Sequence, residues 1–326
     1  MFRLPGKHIA FVFSDAAGAN ACIALAKMCE IGTDISTLLF SNKKYFEANV
    51  DNLNITENVP SFRDLRIDCV FTGTSHPESS NHFEVNCIKK AVNENIYAIS
   101  FIDHWINFKL RFDGLNASEY PDEIWVVDET AKQLAISEGL PWEKIFVKGN
   151  PYHYYLKNYW HSQYTNKSYL EKLQIPKTGF HILFAPDPLS IRNGRQTVGF
   201  DEEEVLRDLL MIVSQLRGEI RLVVKCHPLQ QTDNLSRLIK KTNDSNCFLI
   251  KEADTLELIS ASDIVVGFYS NVLLEAEALN KKVIRYFPGN SEADLLKHKV
   301  SLKKIQSKNE LMEEIKHSIY ERNNLS

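Results

Sequence analysis

The 326 residues contain six cysteines and no Cys-x-x-Cys pair, which removes the zinc ribbon and the thioredoxin-type redox motif from consideration. Cys22, Cys29, Cys69, Cys87, Cys226 and Cys247 fall mostly within apolar helix or strand patterns, as buried free thiols do, and this suits a reducing cytoplasm. There is no His-Glu-x-x-His, no Gly-x-Ser-x-Gly elbow, no Walker-type phosphate loop, no Gly-x-Gly-x-x-Gly and no Asp-x-Asp. Zinc hydrolases, α/β-hydrolases, P-loop NTPases and dinucleotide enzymes lose their signatures with them, so no metal and no cofactor are expected. Apolar runs stay below the roughly 18 residues of a membrane span, and the opening Met1-Phe2-Arg3-Leu4-Pro5-Gly6-Lys7 lacks the apolar stretch of a signal peptide. Any membrane contact is then expected to be peripheral. A formal charge of −4 carries no excess of basic residues, so nucleic acid is not an expected partner.

What the chain does have is an ordinary globular composition, 44% apolar and 25% charged, at a length that suits two domains better than one core. The first half alternates short apolar runs (9–13, 35–40, 69–71, 96–102, 124–127) with helical patterns over 17–29 and 81–93. Strands alternating with amphipathic helices imply βαβ units and a parallel sheet. The alternation lapses over the aromatic, polar stretch 152–169 and restarts at His181. Beyond it, Asp201 with Glu204 and Asp254 with Glu257 are spaced as capping pairs at helix starts. The pattern predicts an α/β protein of two Rossmann-like domains with parallel sheets, over 1–155 and 156–326. It ends in an amphipathic helix over 311–320 that could pack back on the first domain.

Chemistry-bearing residues gather at predicted strand ends, the edge where open α/β sheets bind ligands. Arg221-Leu222-Val223-Val224 runs into Lys225-Cys226-His227-Pro228. Pro228 has no donor for the ladder and stops the strand, which holds His227 at the edge. From there the imidazole can donate to a phosphate oxygen with Lys225 adding a cation; the plainer reading is a histidine bonded to a nearby carbonyl. A second strand, 263–266, runs into Gly267-Phe268-Tyr269-Ser270-Asn271 and a helical run carrying Glu275. Free amides at that helix start suit a diphosphate, although a serine there is often only an N-cap. Glu275, one turn on, can accept from ribose hydroxyls or simply face solvent. In the loop after the strand 181–185, Arg192 and Arg195 can close on a phosphate or a sugar carboxylate, although loop arginines are more often solvated.

The order Lys225-x-His227-Pro228, then Ser270-Asn271, then Glu275-Ala276 resembles the donor half of GT-B transferases that use an HP motif and a serine motif. Bacterial polysialyltransferases, Kdo transferases of capsule synthesis and CDP-glycerol glycerophosphotransferases are of this kind. Non-hydrolysing UDP-N-acetylglucosamine 2-epimerases look similar at the same places, and Gly149-Asn150-Pro151 resembles the end of a GT-B first domain. Asn271 departs from the pattern, since the serine motif often has a second serine there. The resemblance implies two domains facing a central cleft. Donor phosphates would be met by Lys225, His227, Pro228, Tyr269, Ser270 and Asn271, and the ribose by Glu275.

It also implies an acceptor-activating group in the first domain, where three loops compete. Asp15, in Ser14-Asp15-Ala16-Ala17-Gly18, reads either as a general base or as a helix cap, and small residues such as Gly18 let the backbone approach a ligand closely. Thr74 and Ser75 follow another strand, and Asp103-His104-Trp105 follows a third, with Trp105 a stacking surface for a sugar. Asp103 and His104 are not a dyad by spacing, because adjacent strand residues point to opposite faces. The missing Asp-x-Asp fits transfer without a metal, since side chains and a helix dipole can neutralise a departing phosphate. The expected function is therefore a metal-independent glycosyltransferase that moves a sugar from a nucleotide-activated donor to a saccharide or lipid-linked acceptor in bacterial surface-polysaccharide synthesis. It would work in the cytoplasm or at the inner face of the membrane. The alternatives are a nucleotide-sugar 2-epimerase or hydrolase on the same fold, and a non-catalytic sugar-nucleotide or glycan-binding protein.

Overall fold

His8–Phe13 forms strand β1, and its alternation sorts large side chains from small ones. Phe11 and Phe13 enter one cluster with Phe71, Trp125 and the helix Ala16–Glu30, while Ala10 and Val12 enter another with Val70, Ala98 and the helix Phe83–Asn93. With both faces covered by helices the strands can be apolar throughout, which is why they read as continuous runs. In this computed structural model the described residues are 2–46, 50–165, 167–216, 218–227, 229–230, 232–242, 246–289, 291–299 and 301–325.

The chain divides into two compact units, one ending at Asn158 and one starting at Tyr159. In the first, β1 is joined by β2 (Ser36–Ser41), β3 (Leu53–Ile55), β4 (Cys69–Thr72), β5 (Tyr97–Ile102), β6 (Glu123–Val126) and β7 (Ile145–Val147) in the order β3-β2-β1-β4-β5-β6-β7. Every pairing is parallel. The chain leaves β1 in one direction and returns on its other side at β4, so the strand order switches between them. The helix Pro151–Asn158 belongs to this unit: the Tyr154 ring stands edge-on to Phe2 at 5.5 Å, and Lys27 lies 5.8 Å over Tyr155.

The second unit repeats the plan with β8 (Phe180–Phe184), β9 (Ile220–Lys225), β10 (Cys247–Ile250), β11 (Ile264–Gly267), β12 (Lys282–Tyr286) and β13 (Lys304–Ile305). Their order is β10-β9-β8-β11-β12-β13, again all parallel, with the switch between β8 and β11. Ile182, Phe184, Leu222, Val224 and Val266 pack with the helix Glu202–Gln215. The last helix, Lys308–Leu325, buries Leu311 and Ile315 in the same core, so its apolar stripe belongs to this unit. Two Rossmann-like units with parallel sheets make this a GT-B-like α/β fold.

Both capping pairs form: Glu204 N–H donates to Asp201 and Glu257 N–H to Asp254, each at 3.0 Å. The helix expected from 81 begins at Phe83, because Asn81 and His82 take left-handed φ values of 54° and 55° after a short turn of helix at Pro77–Ser80. The stretch 152–169, where the alternation lapses, holds helices at Pro151–Asn158 and Ser168–Lys172. All six cysteines are free, four of them buried. Among the described residues no helix is long and apolar enough to cross a membrane.

Candidate functional site

Each switch point gathers the loops that carry the chemistry. In the second unit β9 ends at Lys225, which is half-buried, and its ammonium donates to the Cys226 carbonyl at 3.1 Å. Burial lowers its pKa from the ordinary lysine value. His227 closes a small turn: its carbonyl accepts from Gln230 N–H at 2.9 Å and its Nδ1 accepts from Leu229 N–H at 3.2 Å. An Nδ1 that accepts leaves the proton of the neutral ring on Nε2, so the outer nitrogen is a donor. Through Nδ1 the ring thus meets a main-chain N–H. Pro228 lies outside the described residues.

The turn is held from beneath by Glu202, a carboxylate in the first turn of its helix and only 1% exposed. It accepts from Ser190 N–H at 2.8 Å, Ser190 Oγ–H at 2.5 Å and Gln230 Nε2–H at 2.9 Å, which ties the loop after β8 to the loop after β9. The run Glu202-Glu203-Glu204 signals this in the sequence, but an acidic first turn reads there only as dipole compensation.

Past β11, Ser270 is the N-cap of the helix Asn271–Ala278, yet its side chain makes no capping bond. Its Oγ is buried without a hydrogen-bond partner among the described residues. The plainer alternative, a serine whose side chain only caps the helix, does not hold. Asn271 is exposed at the first helical position, Glu275 is half-buried one turn on, and the half-buried Tyr269 ring sits 5.6 Å from Phe268 and 6.1 Å from Phe287. Behind this loop Arg285 is 3% exposed; its Nε donates to the Phe268 carbonyl at 3.1 Å and its guanidinium pairs with the fully buried Asp294.

Arg195 needs correction as a donor ligand. Its side chain, 60% exposed, is engaged by Asp201 and lies 3.9 Å from Glu204, so the first turn of the Glu202 helix already takes its charge. The Arg192 side chain lies outside the described residues.

In the first unit the Asp15 carboxylate does cap its helix, accepting from Gly18 N–H at 2.7 Å. Burial raises its pKa to about 6 against the opposing Gly18 bond, and the carboxylates of Asp103 and Glu84 push the same way. Asp103 pairs with Arg111 at 3.0 Å. His104 Nδ1 accepts from Trp105 N–H at 2.9 Å, and burial lowers its pKa. Four other expectations are overturned here. Trp105 cannot offer a stacking face, because it is 4% exposed and its indole N–H is bound to both oxygens of Asp128 at 2.9 Å. Thr74 and Ser75 are buried, and their hydroxyls donate to the Phe101 carbonyl at 2.8 Å and to Glu84 at 2.7 Å. Gly18 is buried, and its lack of a side chain serves the approach of another loop's backbone: a Cβ on Gly73 would stand 2.7 Å from Gly18 Cα. Sequence reasoning missed Arg111 and Glu84, because a loop arginine and a helical glutamate carry no motif. It also missed Tyr45, 61% exposed, whose hydroxyl donates to the Ser14 carbonyl at 3.4 Å.

Among the described residues no cluster of His, Cys, Asp and Glu is placed to hold a metal ion. The second unit instead offers a donor imidazole, a lysine and a helix start, which together suit a phosphate. A family model described as CDP-glycerol:poly(glycerophosphate) glycerophosphotransferase matches residues 126–299, more than half of the chain. The chain belongs to this family. Membership in the glycerophosphotransferase family makes it part of a transferase family whose named donor is nucleotide-activated. No curated protein sequence matches it. Among solved structures, the UDP-GlcNAc 2-epimerase from Methanocaldococcus jannaschii is 12% identical with a TM-score of 0.65, covering 96% of this chain and 92% of that one. A putative UDP-N-acetylglucosamine 2-epimerase from Listeria monocytogenes is 14% identical with a TM-score of 0.68, covering 96% and 88%. The UDP-GlcNAc 2-epimerase from Neisseria meningitidis, bound to UDP-GlcNAc, is 14% identical with a TM-score of 0.65, covering 97% and 92%. At these identities the glycerophosphotransferase-family chain shares their fold.

Proposed function

We propose that the protein transfers a group from a nucleotide-activated donor, CDP-glycerol first and a nucleotide sugar second, to a hydroxyl of a saccharide or lipid-linked acceptor in surface-polysaccharide synthesis. The observation that carries this reading is Ser270: a buried hydroxyl without a partner among the described residues, at a helix start that its side chain leaves uncapped and at the strand-order switch. A phosphate oxygen supplies the missing acceptor for that hydroxyl and for the helix N–H groups. Lys225, His227 and Asn271 then surround the diphosphate, and Glu275 is one turn away for ribose hydroxyls.

Asp15 is our choice of base over Asp103 and His104. Asp103 is held by Arg111, and His104 already uses a ring nitrogen on main chain, whereas Asp15 titrates near 6 and is ionised at neutral pH. In glycerol phosphate transfer the acceptor hydroxyl gives its proton to Asp15 and its oxygen attacks the β-phosphorus. The bond from that phosphorus to the α-phosphate bridging oxygen breaks, and CMP departs with its charge met by Lys225, His227 Nε2–H and the helix start. On this reading the leaving charge needs no metal, and turnover persists in EDTA.

The test is nucleotide release from CDP-glycerol or a UDP-sugar, with and without an acceptor hydroxyl. Acceptor-dependent CMP release supports the reading. His227→Ala should lower it by about 10²–10³-fold with the fold intact, the scale of one lost charge-stabilising donor; near-parental release would remove His227 from the site. A second reading, a UDP-sugar epimerase or hydrolase, is favoured by the fold likeness to UDP-GlcNAc 2-epimerases. Epimer or free sugar formed from the donor alone would establish it.

A further inference from the structure

We propose that Glu202 is a positioning residue for His227, acting through the side chain of Gln230 to fix which ring nitrogen faces the ligand. The proposal deepens the donor-site reading and rests on it only for the ligand that His227 meets.

The chain of contacts is short. An ionised carboxylate accepts hydrogen bonds and donates none. Facing Glu202, Gln230 must therefore present its amide nitrogen, at 2.9 Å, which turns its Oε1 toward the His227 N–H at 3.4 Å. The Gln230 N–H closes the same turn on the His227 carbonyl at 2.9 Å. Gln230, 6% exposed, thus clasps residue 227 at both ends of its peptide, and within the clasp Leu229 N–H meets His227 Nδ1. Removing the charge at 202 removes the rule that orients Gln230, because a glutamine there can accept or donate on either side. The two Ser190 bonds hold the carboxylate in place from the other loop. A buried anion beside a phosphate site would weaken binding if it served as a ligand. Enclosed by three donors in the first turn of its helix, Glu202 acts on the geometry of the site instead.

The experiment uses the full chain labelled with ¹⁵N-histidine, with His227 assigned by its absence in His227→Asn, and reads ring tautomer by NMR, affinity for CDP and UDP by calorimetry, and unfolding temperature. In the parent protein the neutral His227 ring should carry its proton on Nε2. In Glu202→Gln that form should lose its dominance and the Kd for CDP should rise about tenfold, the size of a lost charged hydrogen bond. Gln230→Met leaves the carboxylate and cuts the link; it should give the same spectral change, and the double variant should be no worse than either single. A change in unfolding temperature with an unmoved His227 signature in folded Glu202→Gln overturns the proposal. If Glu202→Gln does not fold, an unmoved signature in Gln230→Met overturns it. A parent protein that binds neither CDP nor UDP overturns the donor reading instead, while the spectra still decide the role of Glu202.

Discussion

The two units share a strand order and a switch point, but they fill the same edge with opposite charge. In the first, three acids, Asp15, Glu84 and Asp103, lie near enough to influence one another, one of them paired with the guanidinium of Arg111, and the hydroxyls of Thr74 and Ser75 are bound within the unit. In the second, Lys225, His227 and an uncapped helix start face the edge, and the buried acids Glu202 and Asp294 work from behind it. One backbone plan thus yields one acidic edge and one that carries a lysine, an imidazole and a helix start; on the proposed function the first serves proton transfer and the second phosphate. Topology supplies the edge, and side-chain charge decides which half of a reaction it can take.

The sharpest break of this contrast is Asp15→Asn. Asparagine keeps the helix cap but cannot take a proton, so acceptor-dependent turnover should fall by about 10²–10⁴-fold, and the rise of kcat/KM through pH about 6 should vanish. The folded pKa of Asp15 lies above its unfolded value, so its ionised form opposes folding above pH 6 and that opposition fades as pH falls toward 4. The variant should therefore unfold at a temperature no lower than the parent at pH 7.5, measured by scanning calorimetry. A loss of turnover under tenfold would return the role of base to Asp103 or His104.

Next in size, Arg285→Met should destabilise the second unit by about 3 kcal/mol in urea unfolding, because among the described residues it leaves the buried Asp294 with only Lys304 at 3.7 Å and the Leu296 N–H at 3.0 Å. It should also loosen the Phe268 end of the ligand loop, raising the Kd for nucleotide in the protein that remains folded. An unchanged unfolding midpoint would mean that the pair is not what holds the β11 loop.

The smallest effect concerns the opposite end of the second sheet. Burial alone would raise the pKa of Asp263, but bonds from His181 and Lys167 outweigh it and bring the pKa down to about 2. A depressed carboxylate contributes stability that is complete above pH about 4 and is lost as pH falls toward 2. Acid unfolding monitored by circular dichroism should lose about 2 kcal/mol of its pH dependence over that window in Asp263→Asn. An identical acid limb in the variant would assign the transition to other carboxylates.

Much of the architecture was legible in the chain because it rests on local rules. The apolar runs gave the strands, Asp201 and Asp254 gave the helix starts, and the proline stop and the helical run after Ser270 gave the ends of β9 and β11. What escaped had no local signature. The helix Glu129–Ser137, capped by Asp128, carries a weak apolar stripe, and strands as short as β3 and β13 show no period at all. Trp105 read as a sugar platform because aromatic rings at strand ends often are, and only the placement of Asp128 turned its indole inward.

The sequence by itself determined the α/β alternation, the strand ends and the kinds of group that sit on them, since periodicity and proline stops act over a few residues. Tertiary structure alone decided which of those groups are spent on each other. Arg195 was taken by Asp201, Ser75 by Glu84 and Trp105 by Asp128, while the Ser270 hydroxyl was left buried without a partner among the described residues. Hydrogen bonds between side chains of different elements and loops depend on distances set by packed sheets and helices, and no pattern of neighbours encodes them.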